Sequence, residues 1–276
     1  IVMIKCVIKS ERLTMYPILF HIWGPIAIQS FGFMIAIGSL VCLKLLQRDK
    51  PLMELITRDQ LIDIAMVIFV ASFVGGRLMY AWEMYDGQES LFRLIIMPNS
   101  GFSILGSLVM SGGVLWLYLL YRCKFYVDHA LAILDRFAIY MPLLYSISRI
   151  GCFLAGCCYG CATTVPWAIT YTNSAVFAPC YVPLHPTQLY SASLGFIIFL
   201  LFYFVLDRIY GNYKGALVGW LFICIGAERF LVDFLRADRT NIDAWGLSTM
   251  QWFGIKLILF GAIYLRGRLK NSFKKK

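Results

Sequence analysis

The sequence predicts an all-α, polytopic membrane bundle of about seven transmembrane helices, and three observations carry that prediction. Hydrophobic residues make up 60% of the 276 positions and charged residues only 14%, against about 25% charged in an ordinary soluble domain. Apolar runs close to the roughly 20 residues a spanning helix requires return along the whole chain. Lysine and arginine gather in alternate connections between those runs. Together these exclude a typical soluble enzyme, a disordered chain and a small disulfide scaffold.

The runs lie at Ile26–Leu46, Leu61–Trp82, Ile104–Tyr121, Ala130–Ile150, Pro186–Val205, Leu217–Arg236 and Leu247–Leu265. Arg48, Lys50 and Arg58 follow the first, Arg122 and Lys124 the third, and Arg208 and Lys214 the fifth; a basic tail at 266–276 follows the seventh. The alternate connections are poor in cations. One carries Glu83, Asp86 and Glu89 against Arg93, and the long one at Cys152–Leu184 has no charged side chain. The positive-inside rule then puts the N-terminus outside and the C-terminus in the cytoplasm. Lys5, Lys9 and Arg12 break the pattern; a translation start at Met15 accounts for them. That leaves residues 1–15 outside a single integral-membrane domain at 16–270.

The net charge of +10 fits anchoring against anionic lipid, so membrane lipid rather than nucleic acid is the expected partner. No Walker, Rossmann or zinc-protease motif occurs, and no cofactor is expected.

Glycines recur inside the runs, at Gly32 and Gly38, Gly75 and Gly76, and Gly106, Gly112 and Gly113. Close helix packing explains them. Ionisable residues inside the runs are costlier and point to function. Arg77 lies in the second run, Asp135, Arg136 and Arg149 in the fourth, and Glu228, Arg229, Asp233 and Arg236 in the sixth. On one helix Arg229, Asp233 and Arg236 share a face. One reading is a self-neutralising structural pair; the other is a pocket for phosphate, which planar guanidinium donors favour. Arg149, at the same outer depth, adds a second clamp on an anionic phospholipid headgroup.

His185 opens His185-Pro186-Thr187-Gln188-Leu189-Tyr190 at the outer mouth, with an amide in Gln188 and a phenol in Tyr190 beside it. Structural hydrogen bonding and a role as base are both open to it. Five of the nine cysteines, Cys152, Cys157, Cys158, Cys161 and Cys180, fall in the outer connection. Their spacing does not match paired C-x2-C zinc knuckles, and no metal ligand is assigned among them. Small-residue packing, disulfides on an oxidising face, and metal or redox chemistry stay open.

The segment SRIGCFLAGCCYG at Ser148–Gly160 resembles the signature of the prolipoprotein diacylglyceryl transferase family. GPIAIQSFGFM at Gly24–Met34, HPTQLY at His185–Tyr190, ERFLVDFLR at Glu228–Arg236 and GLSTMQ at Gly246–Gln251 follow in the family's order. The resemblance covers nearly the whole chain from about Tyr16 onward. It implies an enzyme of the bacterial inner (cytoplasmic) membrane. Its reaction passes a diacylglyceryl group from phosphatidylglycerol to the lipobox cysteine thiol of a preprolipoprotein bearing a signal peptide, releasing glycerol phosphate.

Arg149 matches the family's signature arginine and Arg229 its sixth-span arginine. Asp233 stands where the family usually has glutamate, and Gly151 and Gly160 match backbone positions. On this resemblance the catalytic set is Arg229, Asp233, His185 and Cys157, with Arg149, Gly151, Arg236, Gln188 and Tyr190 binding substrate. The chain departs from the family at Phe31 and Ile225, each in place of tyrosine, and at Leu105, in place of a histidine often assigned as base. Cys152 and Ala155 replace asparagines, and Cys157 replaces the signature glutamate. A divergent transferase, a related transferase with another acceptor, and a non-catalytic lipid-binding or thiol-exchange protein are the three readings that follow.

Overall fold

Ile18–Trp23 (β1) and Ile26–Gln29 (β2) pair antiparallel, and only at Ser30 does the chain turn helical, as α1 at Ser30–Leu46. The first expected span therefore starts four residues late. Its opening, Ile-Ala-Ile-Gln, alternates in the period of a strand, and β-branched isoleucine favours that state. The computed structural model describes residues 17–23, 26–85, 102–122, 124, 126–239 and 242–274. The expectations for residues 1–15, for Gly24, and for Asp86, Glu89 and Arg93 lie outside the described residues.

Beyond α1 the order is α2 (Lys50–Leu55), α3 (Arg58–Met84), α4 (Ile104–Arg122) and α5 (Val127–Ala155). A short antiparallel pair follows, β3 (Ile169–Thr170) with β4 (Pro183–Leu184). Then come α6 (Thr187–Leu201), a π-helical segment at Phe202–Leu206, α7 (Asp207–Tyr210), α8 (Ala216–Asp233) and α9 (Thr249–Lys274). The expected all-α architecture thus gains two small β pairs. Among the described residues, four helices are long and apolar enough to cross a membrane: Arg58–Met84, Leu105–Arg122, Val127–Ala155 and the continuous Thr187–Tyr210. The residues expected as a basic tail continue α9 as far as Lys274.

The chain divides into two compact units. In the unit at Gln47–Leu134, α3 starts at a capping box in which Thr57 and Gln60 exchange side-chain-to-backbone hydrogen bonds. It packs against α4 through bare backbone. A Cβ on Gly75 would come within 2.5 Å of the Gly106 carbonyl, so a methyl group there separates the helices. Ser107 locks the same crossing by donating to the Ser72 carbonyl at 2.9 Å. Leu105 is an exposed residue of α4 in this unit.

The other unit holds α1 and everything from Asp135 onward. Its helices approach through small residues, as expected where lipid removes the hydrophobic drive to associate. A Cβ on Gly226 would lie 2.6 Å from the Gly254 carbonyl, and one on Gly261 2.8 Å from the Gly219 carbonyl, which sets α8 tight on α9. Gly151 similarly admits Met34 and Phe31 of α1. Two of the intramembrane charges prove structural here. Asp135 accepts from the backbone N–H of Gly215 and of Val218, the latter at 3.0 Å, and so caps the start of α8. Arg136 pairs with Asp207 at 2.6 Å.

Candidate functional site: a guanidinium and thiol cluster

Helix α5 ends in a way its sequence specifies. Gly156 takes a φ of +68°, its N–H reaches the Phe153 carbonyl at 3.2 Å, and the N–H of Cys157 reaches that of Cys152 at 3.1 Å. These are the two hydrogen bonds of a Schellman motif, in which the sixth residue folds back over the first. A Cys-x4-Cys spacing with glycine before the second cysteine is thus a spacing of juxtaposition. Cys158, also left-handed at φ 58°, completes the turn. The sulfurs of Cys152, Cys157 and Cys158 all lie within 4.8 Å of one another.

The turn is held from outside. Thr187 donates to the Cys158 carbonyl at 2.8 Å, and Gln188 donates to the Cys157 carbonyl at 2.8 Å and to the Tyr171 hydroxyl at 3.1 Å. The Oε1 of Gln188 is buried with no partner among the described residues. Burial pushes the Tyr171 phenol up to about 12. Around it Val176, Ala178 and Leu184 pack with Phe153 and Tyr159, so the uncharged connection at Cys152–Leu184 has an apolar core of its own. The described cysteines are free thiols. Thiol hydrogen bonds from Cys152 and Cys157 hold Cys158 below the ordinary thiol range, against the opposing cost of burial. Hydrogen bonding with Cys152 first, and then with Cys158, pushes Cys157 up.

Helix α8 ends at Asp233, earlier than the expected Arg236, and the chain then turns to run beside the cysteines. Cys161 donates its backbone N–H to the Leu235 carbonyl at 2.9 Å, and Ala237 donates to that of Tyr159 at 3.2 Å. Gly160 sits in this crossing, where a Cβ would come within 2.6 Å of the Leu235 carbonyl. Arg236 consequently leaves the helix face expected for it. It forms a two-pronged pair with Asp238, at 2.7 Å through Nε and 2.5 Å through Nη2. This hydrogen bonding holds the Asp238 carboxyl below its usual range.

Arg229 and Asp233 stay on α8 as an i, i+4 pair at 3.6 Å. Asp233 also accepts from the Ser248 hydroxyl and faces Arg239 at 3.7 Å. Ser248 and Gln251 form a capping box at the start of α9, with Gln251 Oε1 accepting the Ser248 N–H at 2.9 Å and Gln251 N–H reaching the Ser248 hydroxyl at 3.1 Å. Arg149 lies with its guanidinium 4.8 Å from the centre of the Tyr145 ring, and its buried Nε has no hydrogen-bond partner among the described residues. Tyr145 and Ser191 both donate to buried Glu228, at 2.9 and 2.6 Å. Arg149 and Arg236 come from separate parts of the chain, yet both lie within electrostatic reach of Arg229.

Of the sequence-predicted residues, the structure brings together Arg149, Arg229, Asp233, Arg236 and Cys157, with Gln188 bracing the cysteine turn. His185 lies along the same crossing through its backbone, bonded to Gly160 and Cys161 at 3.0 Å each. Its Nδ1 is 3.2 Å from the Tyr190 hydroxyl, which accepts from Trp167 at 2.7 Å. Sequence reading gave no role to Tyr145, Ser191, Asp238 or Arg239. Glu228 it saw only as a charge in a span. The Ser-x-x-Gln of Ser248–Gln251 was a legible cap signal.

Comparisons with known proteins give the chain a family. A family model described as prolipoprotein diacylglyceryl transferase matches residues 17–266. A phosphatidylglycerol–prolipoprotein diacylglyceryl transferase of Clostridium tetani is 35% identical over 254 residues, covering 90% of this chain and 95% of that protein. A second of that name from Clostridium perfringens is 33% identical over 93% of this chain and 99% of its own length. One from Photobacterium profundum is 28% identical over 91% and 92%. With the match running through every segment that builds the guanidinium and thiol cluster, the chain belongs to the prolipoprotein diacylglyceryl transferase family.

Proposed function

We propose that the protein transfers a diacylglyceryl group from phosphatidylglycerol to the cysteine thiol of a prolipoprotein, in the inner membrane of a bacterium. Family membership supports the reaction. The observation that carries it to particular residues is the buried Nε of Arg149, a donor without an acceptor among the described residues, held within reach of the Arg229 charge. A buried donor left unpaired is costly, and the phosphate of a lipid headgroup satisfies it.

In this reading Arg149 and Arg229 grip the phosphate and stabilise the negative charge that grows on the departing glycerol phosphate. Asp233, fixed by Ser248, orients Arg229. Gly151 and Gly160 let backbone segments close on the site. Arg236, paired with Asp238, contributes field rather than free donors, and His185, Gln188 and Tyr190 shape the outer mouth where the signal peptide meets lipid. Seven spans fit this role: the four long apolar helices together with α1, α8 and α9, the N-terminus outside and the C-terminus in the cytoplasm. Residues 16–270 then form one domain.

Expression in a bacterium depleted of its own transferase tests the reading. Restored growth, with a reporter lipoprotein gaining the mass of a diacylglyceryl group, is the expected result. Failure of the mass shift at normal expression refutes it. A related transfer to another acceptor is favoured by one feature, the thiols of Cys152 and Cys157 where the family has amide and carboxyl groups.

A further inference from the structure

Three thiols on one turn are more than packing needs. Cys152 is buried, while Cys157 and Cys158 are partly exposed, so the group is closed behind and open in front. Four zinc–sulfur bonds of about 2.3 Å in a tetrahedron set neighbouring sulfurs about 3.8 Å apart. The sulfurs here lie within 4.8 Å of one another, which exceeds that spacing by at most about 1 Å. Among the described residues no fourth histidine, cysteine or carboxylate joins them. Three protein ligands with an open fourth position is the pattern of a reactive rather than a structural zinc site.

The surroundings fit an ion with anionic ligands. Zinc with three thiolates carries a net charge of −1, and −2 once a further thiolate binds. Arg149 and Arg236 both lie within electrostatic reach of Cys158 and offset that charge. The backbone beneath is clamped by the Schellman motif, by Thr187 and by Gln188, which gives the rigidity a metal site requires.

We infer that Cys152, Cys157 and Cys158 bind one zinc ion whose open position takes the acceptor thiol of the lipoprotein substrate. The inference rests on the transfer reading above and supplies a step that reading lacks, since a coordinated thiol loses its proton outright. The proton passes to water as the acceptor sulfur binds. The thiolate then attacks the carbon of the diacylglyceryl moiety that is bonded to the phosphate oxygen. A carbon–sulfur bond forms, the carbon–oxygen bond breaks, and glycerol phosphate leaves with the electron pair, gripped by Arg149 and Arg229. No oxidation state changes.

The test uses the full chain purified in detergent from zinc-supplemented cells. Elemental analysis is expected to find about one zinc per chain. Cys157→Ser and Cys158→Ser are expected to lose at least about tenfold in zinc affinity while eluting as the parent does. Should those variants fail to fold, cobalt(II) loaded into the parent protein provides the second measurement. It is expected to show the intense visible absorption of a tetrahedral thiolate site, and a lipobox peptide should shift that spectrum where its serine analogue does not. Zinc content unchanged by both substitutions, copper in place of zinc, or a cobalt spectrum indifferent to the thiol peptide each overturns the inference. Full transfer after zinc is stripped overturns the metal and leaves the transfer reading intact. A cobalt spectrum that responds to peptide, in a protein that forms no thioether, supports the metal site and refutes the transfer reading.

Discussion

Glu228 accepts a hydrogen bond from the Tyr145 phenol at 2.9 Å, which ties the carboxylate preceding Arg229 to the helix that carries Arg149. Ser191 adds a third helix to the same oxygen at 2.6 Å. One buried acceptor thus links the helices that carry the two guanidinium groups, and it can be perturbed without touching either arginine.

Tyr145→Phe removes one donor and leaves Glu228 with Ser191. The expected loss is about 1 kcal/mol, the usual worth of such a bond. Glu228→Leu removes the acceptor from both partners and is expected to cost more. Thermal unfolding of the purified protein in detergent measures both, and equal midpoints for the parent and both variants would show the link to be idle.

Arg149→Ala and Arg229→Ala are each expected to lower transfer by about 100- to 1000-fold, the cost of losing a donor aimed at developing charge. Arg229→Lys keeps the charge but loses the fork, so it is expected to fall between wild type and alanine. Mass spectrometry of a lipobox peptide incubated with phosphatidylglycerol vesicles gives the rates.

Arg236 holds the Asp238 carboxyl below its ordinary value, which fixes the sign of an acid effect. The pair's contribution is complete above the unfolded carboxyl range near 3.8 and is lost as pH falls through the lower folded value. In Asp238→Asn that part of the acid sensitivity disappears. Unfolding midpoints of the two proteins are thus expected to differ most at neutral pH and to converge on acidification.

Gly160→Val places a side chain where a Cβ alone already meets the Leu235 carbonyl and the His185 Cβ, each at 2.6 Å. Loss of folded protein from the membrane fraction is expected. Gly112→Ala, with nothing within 4 Å of its Cβ, is the matched control and should accumulate normally.

Much of the frame is legible in the amino-acid pattern itself. The apolar runs located the helices because a span must satisfy its backbone internally and show lipid an apolar face. Arg149 and Arg229 stood out because charge inside such a run is expensive. The errors have equally plain causes. Ile26–Gln29 counted as span by hydrophobicity alone, although its alternation is that of a strand. Arg236 was set on the Arg229 face because helical spacing was carried past Asp233, where the chain turns. Asp135 and Arg136 looked functional by the same cost argument that found Arg149, and only their partners, the Gly215 N–H and Asp207, separate the two cases. The cysteine group failed a test built for zinc knuckles. A Cys-x4-Cys-Cys run becomes a cluster only when a left-handed glycine folds the helix end back on itself.

Helix α8 is fastened at both ends by acidic side chains: Asp135 grips its first turn and Asp233, in its last, is pinned by Ser248. Eighteen residues at about 1.5 Å each separate those fixings by about 27 Å, nearly the depth of the bilayer's oily layer. The helix behaves as a strut of set length. If α8 crosses the bilayer as proposed, a lesion at the Asp135 end is expected to tilt the arginine at the far end and so to lower transfer from a distance.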